Sequence, residues 1–176
     1  MCKVALRNSL FLIFLISNNA LSDWQVGGLF AYTIVDLNLP SDEEFSPTAL
    51  LLQGGVDLHK YLALDVRVGT GITDGKRVNL GVERTVGINT VYGGYLKFQT
   101  GNVNMNPYIL LGYTQAELEL SNGSTTTDVD DSGVSYGLGI EGALSDSESI
   151  NLEYVQYYDE DNITIGGIGI GITSRF

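Results

Sequence analysis

The feature that most constrains the fold of this chain is an alternation of apolar side chains with polar or small ones, repeated in runs of about ten residues. In the clearest run, between Tyr61 and Ile72, one set of alternate positions is apolar: Leu62, Leu64, Val66 and Val68. The other set is charged or small: Ala63, Asp65, Arg67, Gly69 and Gly71. Because successive side chains of a β-strand point to opposite faces, this run predicts a strand with one apolar and one polar face.

Eight runs of this kind follow one another, separated by clusters of turn-forming residues. They span residues 23–35, 48–58, 61–72, 86–98, 107–119, 133–144, 149–158 and 163–176. Their length is close to the ~9–11 residues that a tilted strand needs to cross a bilayer. An even number of sequential strands returns both ends of the chain to the same side of the membrane.

The connections between the runs are of two kinds. Three are short, at residues 59–60, 100–106 and 145–148. Three are longer and polar, at residues 36–47, 73–85 and 122–132. The link at 159–162 is an exception, because it is short where a long one is expected. Tight periplasmic turns that alternate with extended extracellular loops are typical of outer-membrane barrels.

A sheet inside a membrane must close on itself. A free edge would leave backbone N–H and C=O groups without partners in hydrocarbon, at a cost of several kcal/mol each. The first and last strands are therefore expected to pair. Together these observations predict an all-β fold, an eight-stranded antiparallel up-and-down transmembrane β-barrel.

The start of the chain has the features of an export signal. Two basic residues precede an unbroken apolar stretch at residues 10–16, and small residues follow at Ala20 and Ser22. We expect cleavage after Ala20 or Ser22, so that residues 1–22 form a signal peptide and residues 23–176 form the barrel domain. The apolar stretch is far shorter than the ~20 residues that a transmembrane helix needs.

The net charge narrows the function classes. Removal of the signal segment takes away Lys3 and Arg7 and no acid, which leaves 7 basic against 21 acidic residues and moves the net charge from −12 to −14. Contacts to nucleic-acid phosphates need a basic patch that this chain lacks, so nucleic-acid binding is excluded. Cys2, the one cysteine, is lost with the signal segment.

Charged residues on the polar strand faces are predicted to lie in the barrel interior. They are Asp65, Arg67, Lys97, Glu141, Glu153 and Arg175. An eight-stranded barrel is just wide enough for side chains to fill, so each of these charges must be paired or hydrated. We favour an internal ion-pair network that plugs the barrel, and a proton or ion path is the alternative.

Aromatic side chains of membrane barrels gather where the strands meet the lipid headgroups. The alternation predicts eight of them on outward faces: Trp24, Tyr32, Tyr92, Phe98, Tyr108, Tyr136, Tyr154 and Phe176. It also predicts an outward position for Ile88 in the fourth run. The fifth run is ambiguous, because residues 108–111 are apolar on both faces.

Four segments carry a family resemblance: residues 62–71, 107–114, 133–141 and 171–176. With them the chain resembles the small outer-membrane β-barrel family that includes the OmpA transmembrane domain and the OmpX/Ail-like proteins. The resemblance implies that Gly171 and Phe176 form a C-terminal signal read by the barrel-assembly machinery, although Ser174 replaces the usual second aromatic residue. It also implies a monomer whose partners are outer-membrane lipid and lipopolysaccharide.

The sequence offers no catalytic, cofactor or firm metal site. His59 is the one histidine, and it lies in a predicted turn without a serine or cysteine nucleophile nearby, so we expect no enzyme. Residues 128–133 imitate the start of a calcium loop, but Gly139 stands where the bidentate glutamate belongs. The predicted loops are acidic, either as solvated charge or as a weak cation-binding rim: Asp42, Glu43, Glu44, Asp128, Asp130, Asp131, Asp159, Glu160 and Asp161.

The sequence thus favours a non-enzymatic outer-membrane barrel with a largely plugged lumen, which contributes to membrane structure or to surface interactions through its acidic loops. The alternative is a narrow porin-like or OmpW-like channel for small or hydrophobic solutes. A soluble lipocalin-like barrel, apolar inside and polar outside, is a third reading that the strand pattern alone does not exclude.

Overall fold

The computed structural model describes residues 23–37, 43–79, 82–122, 125–160 and 163–176. Within these ranges the chain forms ten strands: β1 (Trp24–Leu37), β2 (Glu43–Phe45), β3 (Thr48–His59), β4 (Leu62–Thr73), β5 (Gly75–Asn79), β6 (Val82–Gln99), β7 (Met105–Ser121), β8 (Thr126–Ala143), β9 (Glu148–Glu160) and β10 (Ile163–Arg175). No helix in the described ranges is long and apolar enough to cross a membrane.

Eight long strands close into an antiparallel barrel, as predicted. Each long strand pairs with the next along the chain, and β1 pairs with β10 from Gln25 opposite Arg175 to Leu37 opposite Ile163. The two short strands extend their neighbours. β2 continues the line of β3 alongside β1, and β5 continues the line of β4 alongside β6. The ten strands of the described ranges therefore form a barrel that is eight strands around.

The three long connections were predicted as loops, and this prediction was largely wrong. Residues 43–45, 75–79 and 82–85 lie in strands, and residues 126–132 pair in register with the last part of β7. The polarity of these segments indicated loops, but a ladder of backbone hydrogen bonds in water needs no apolar face. The hairpins therefore continue as sheet well beyond the part of the barrel that carries apolar side chains outward.

The two ends of the barrel differ in what faces outward. We call the part next to Trp24, Phe176 and the turns at 60–61, 100–104 and 144–147 the terminal half, and the rest the hairpin half. In the terminal half the outer surface is apolar, as shown by the exposed Ile109, Leu138 and Ile170. In the hairpin half the outer surface also carries charged side chains, such as the exposed Glu119 and Asp128. Its interior holds a cluster of buried apolar side chains that includes Val35, Phe45, Val86, Leu118 and Ile165.

Seven of the eight aromatic residues predicted to face outward are exposed, and Tyr108 is the exception. Tyr108 is only 4% exposed and points into the barrel. The run around it is apolar on both faces, so alternation could not assign its direction. Ile88 was also wrongly placed outward, because a β-bulge between Ile88 and Thr90 shifts the register of β6 and turns Ile88 inward.

Candidate functional site

Charged side chains meet in the interior of the terminal half, where the structure forms two ion-pair clusters. Arg67 on β4 is the centre of the first. Its Nη2 and Nε donate to Asp65 Oδ2 at 2.9 and 3.2 Å, and its Nη1 and Nη2 donate to the two carboxylate oxygens of Glu153. The side chains of Arg67 and Glu153 are 2% and 0% exposed. A guanidinium held by two carboxylates offsets much of the cost of removing these charges from water.

The second cluster is centred on Glu141 of β8. Lys97 Nζ donates to Glu141 Oε2 at 2.6 Å, while Glu141 Oε1 accepts from Ser149 Oγ at 2.8 Å and from Arg175 Nη2. Arg175 also lies 3.9 Å from Asp57 through its Nε. Asp57 was missed in the sequence, although it shares a strand face with Gln53 and Gly55. The structure thus brings all six predicted lumen charges into two adjoining clusters.

Buried tyrosines lie against both clusters. The guanidinium carbon of Arg67 lies 4.9 Å from the centre of the Tyr95 ring, and Lys97 Nζ lies 4.4 Å from that of Tyr108. Tyr108 also donates to Glu153 Oε2 at 2.8 Å. Its ring packs against Gly139, where any side chain would collide with it. The alternation in the fourth run indicates an inward position for Tyr95, beside Gly93 and Lys97, and Tyr95 is buried. It gave no such signal for Tyr108, whose run is apolar on both faces.

Little space remains between these side chains. A cavity of about 10 Å³ lies among Asp65, Arg67, Lys97, Tyr108 and Glu141. That volume corresponds to about one water molecule. In the hairpin half a second cavity of about 20 Å³ is lined by apolar residues such as Leu51, Val91 and Leu118.

The β5 to β8 strands continue beyond the apolar outer surface as a four-stranded extension. We call this extension, residues 75–79, 82–88, 115–121 and 126–132, the projecting sheet. Carboxylates face each other across its β7–β8 ladder, with Glu117 opposite Asp130 and Glu119 opposite Asp128. Like charges directly opposite each other weaken a β-ladder. The outer face of this hairpin is therefore acidic and internally repulsive.

The predicted acidic rim does not lie in loops where the structure describes it. Asp128 and Asp130 are exposed on β8, whereas Asp131 is half-buried opposite Ala116 on the other face. Glu44 is exposed on β2, and Asp159 at the end of β9 accepts from Thr164 Oγ1 at 3.1 Å. Asp42 and Asp161 lie outside the described residues, as do the side chains of Glu43 and Glu160, which belong to β2 and β9. Across the described ranges, no group of three or more acidic, histidine or cysteine side chains is arranged to hold a metal ion.

The remaining sequence candidates lie at the terminal end. Gly171 sits inside β10 opposite Leu29, where an added Cβ would meet the carbonyl oxygen of Gly28 at 2.6 Å. Phe176 is 80% exposed, and its N–H donates to the carbonyl oxygen of Trp24 at 2.9 Å. His59 is exposed where β3 ends, and its Nδ1 accepts from the N–H of Tyr61 at 3.4 Å.

Comparison with solved structures identifies the same fold in bacterial outer-membrane proteins. Neisserial surface protein A superposes with a TM-score of 0.67 at 11% identity, over 87% of this chain and 97% of that one. The attachment invasion locus protein Ail of Yersinia pestis gives 0.63 at 14% identity, over 88% and 99%. OprG of Pseudomonas aeruginosa gives 0.62 at 14% identity, over 88% and 96%. At such low identity these likenesses show the fold alone.

No curated protein matches the chain in sequence. The family model described as the outer membrane protein beta-barrel domain matches residues 10–176, nearly the whole chain. The closed barrel of eight long strands, with its apolar outer surface, agrees with that match. The chain therefore belongs to the outer membrane protein beta-barrel domain family.

Proposed function

We propose that this protein is a non-enzymatic outer-membrane barrel whose interior is closed by the two ion-pair clusters and whose projecting sheet meets partners outside the cell. The observation that carries the proposal is the packing of the terminal half. Every charge predicted for the lumen has an opposite charge within 4 Å, and the space left among them is about 10 Å³.

The orientation follows from the connections. Outer-membrane barrels place their tight turns in the periplasm and their longer connections outside the cell. The turns at 60–61, 100–104 and 144–147 then face the periplasm, together with both chain ends. The projecting sheet lies on the external side, and its polar outer face suits water rather than lipid.

Breaking the clusters to open a path is costly. Separating Arg67 from Asp65 and Glu153 would leave buried charges without partners, at about 3–5 kcal/mol for a broken buried pair. The hairpin half adds a further obstacle for ions, because its interior is apolar. Both features favour a closed barrel over the narrow channel considered from the sequence.

The protein also lacks a plausible catalytic centre in the part of the chain that the structure describes. His59 is exposed at the terminal end of the barrel. Together with Lys60 it lines an open cleft of about 560 Å³ at the barrel mouth. Its nearest ring neighbour is Tyr61, with the two ring centres 5.3 Å apart. Neither residue is a nucleophile paired with a base, which supports a role without covalent chemistry.

Planar-bilayer recording of the mature, refolded protein tests the proposal. We expect no stable single-channel steps from the natural chain. The double variant R67A/E153A serves as the comparison with an opened interior, because it removes the buried Arg67–Glu153 ion pair. We expect single-channel steps from this variant. Stable steps from the natural chain would overturn the closed barrel and favour the narrow channel.

A further inference from the structure

Three oxygen atoms in the interior of the terminal half have no hydrogen-bond partner among the described residues. They are Asp65 Oδ1, Gln53 Oε1 and Asn151 Oδ1, and each of these atoms is buried. They come from three different strands, β4, β3 and β9. A buried acceptor without a partner is costly, and more so when it carries charge. Three such atoms in one place point to a ligand that they share.

The three side chains line the same cavity, the one of about 10 Å³ in the terminal half. That space admits one particle of the size of a water molecule. Asp65 uses its other carboxylate oxygen, Oδ2, to accept from Arg67, and Gln53 donates through Nε2 to a β10 hydroxyl at 2.6 Å. Gly171 keeps the space beside Asn151 open, because an added Cβ would lie 2.7 Å from Asn151 Oδ1. The remaining oxygen of each side chain is thus available to an occupant of the cavity.

The buried charge around this cavity does not balance. Five charged side chains of the described residues are less than a tenth exposed: Asp65, Glu141, Glu153, Arg67 and Lys97. Three negative charges and two positive charges leave one negative charge. The pair of Asp57 and Arg175, nearer the barrel mouth, adds one charge of each sign and does not change the sum. The interior therefore lacks one positive charge.

We infer that Asp65, Gln53 and Asn151 hold one monovalent cation of the size of sodium or potassium inside the barrel. Carboxylate and amide carbonyl oxygens are the ligands that hard cations prefer, and the three unpartnered atoms are of these two kinds. The site has one carboxylate and two amides. It is therefore of a different kind from the clusters of acidic, histidine or cysteine ligands that are absent from the described ranges.

Other occupants of the cavity satisfy these oxygens less well. A water molecule has two hydrogen atoms for three oxygens, and it would leave the charge unbalanced. A proton on Asp65 Oδ1 would balance the charge, but that hydroxyl could be donated to only one of the two amide oxygens. A divalent cation would leave one positive charge in excess, and calcium takes six to eight oxygen ligands. A monovalent cation satisfies both the oxygens and the charge.

Unfolding of the refolded mature protein in phosphatidylcholine vesicles tests the inference, with sodium chloride replaced stepwise by choline chloride. Choline keeps the ionic strength constant and is too large for a cavity of about 10 Å³. A ligand that binds only the folded state stabilises it as the ligand concentration rises. The urea concentration at half-unfolding should therefore rise with sodium, at neutral and at mildly alkaline pH alike.

Two variants separate this site from general effects of salt. Asn151→Leu removes one oxygen and keeps every charge. Loss of a group that only supports a metal ligand weakens binding about 10–100-fold. Loss of a ligand should therefore raise the sodium concentration that gives half the effect by about tenfold or more. Asp65→Asn removes the charge and should abolish the sodium effect.

Asn106→Leu is the matched control. Asn106 is also a buried amide of the terminal half, but its Oδ1 already accepts from the N–H of Gly101 at 3.0 Å. This variant should respond to sodium as the natural chain does, whatever its own stability. If Asp65→Asn does not refold, the comparison of Asn151→Leu with Asn106→Leu decides.

Equal stability in sodium and choline would overturn the inference and favour a water molecule as the occupant. A dependence on pH without one on sodium would overturn it in favour of a proton. A sodium effect of the same size in Asn151→Leu and in the natural chain would place the ion elsewhere and overturn it too. The site lies in the interior that the proposed function takes as closed, but none of these outcomes opens the barrel, so the conductance test stands apart.

Discussion

The same strands run through the terminal half and the hairpin half of the barrel, but the polarity of their outward side chains differs between the two halves. On β7 the outward side chains change from Ile109 and Leu111 to Glu117 and Glu119. Between these two glutamates, the inward Leu118 is buried in the barrel interior. The strand does not change face; its surroundings change from lipid to water. A membrane barrel can therefore continue into water as a sheet whose outward side chains are polar and whose inward side chains are apolar. The point along the strand where this change of polarity occurs marks the membrane surface.

The largest effect is expected where charge is buried in the terminal half. Arg67→Ala leaves Asp65 and Glu153 buried without a counter-charge and should lower the free energy of unfolding by about 3–5 kcal/mol. Urea unfolding of the refolded protein in lipid measures this loss. Lys76→Ala is the matched control, because the Lys76–Glu83 pair is exposed and such pairs contribute about 0–1 kcal/mol. Similar losses for both variants would contradict a buried network.

The exchange of outer polarity is tested by placing one charge at two heights of β7. Ile109→Arg puts a guanidinium into the middle of the apolar outer surface and should cost about 2–4 kcal/mol in a bilayer. Glu117→Arg, farther along the same face, should cost little because that position faces water. The measurement is unfolding in lipid vesicles. Equal costs would mean that the membrane boundary does not fall between these residues.

A smaller effect is expected from the apolar interior of the hairpin half. Ile88→Val removes one methylene group from a buried position and should cost about 0.5–1.5 kcal/mol. Ile109→Val is the matched change on the lipid-facing surface, where no closed cavity is left and the loss should be smaller. Chemical unfolding of both variants compares them. A larger loss at Ile109 would show that Ile88 is not packed in a core.

The smallest effect is a gain in the projecting sheet. Glu119→Lys replaces the repulsion across the ladder to Asp128 with attraction and should stabilise the hairpin by about 0.2–1 kcal/mol. Hydrogen exchange at the backbone of 115–121 should slow accordingly. Glu119→Gln should give part of the gain, since it only removes repulsion. Faster exchange in both variants would refute the repulsive pairing.

Alternation was sufficient to predict the eight long strands, because a period of two sets the face of each side chain. Closure of the barrel followed from a separate argument, the need to pair every backbone N–H and C=O group in lipid. Alternation failed at Ile88, where a single bulge reverses the faces, and at Tyr108, whose ring is apolar in pattern but polar in its contact with Glu153. It could not assign partners either. Arg67 and Glu153 are 86 positions apart in the chain, and only the stagger of the closed barrel brings them together.

The seam between β1 and β10 has a consequence for the order of folding. The hairpins join strands that are adjacent in sequence, whereas the seam pairs Gln25 with Arg175 and needs the entire chain. Local contacts form quickly and distant ones slowly, because a long loop must lose its freedom first. Until this seam forms, the sheet is open, and β1 and β10 each lack one neighbour. In lipid such edges lack hydrogen-bond partners, so the last step of folding is also the one most in need of a catalyst.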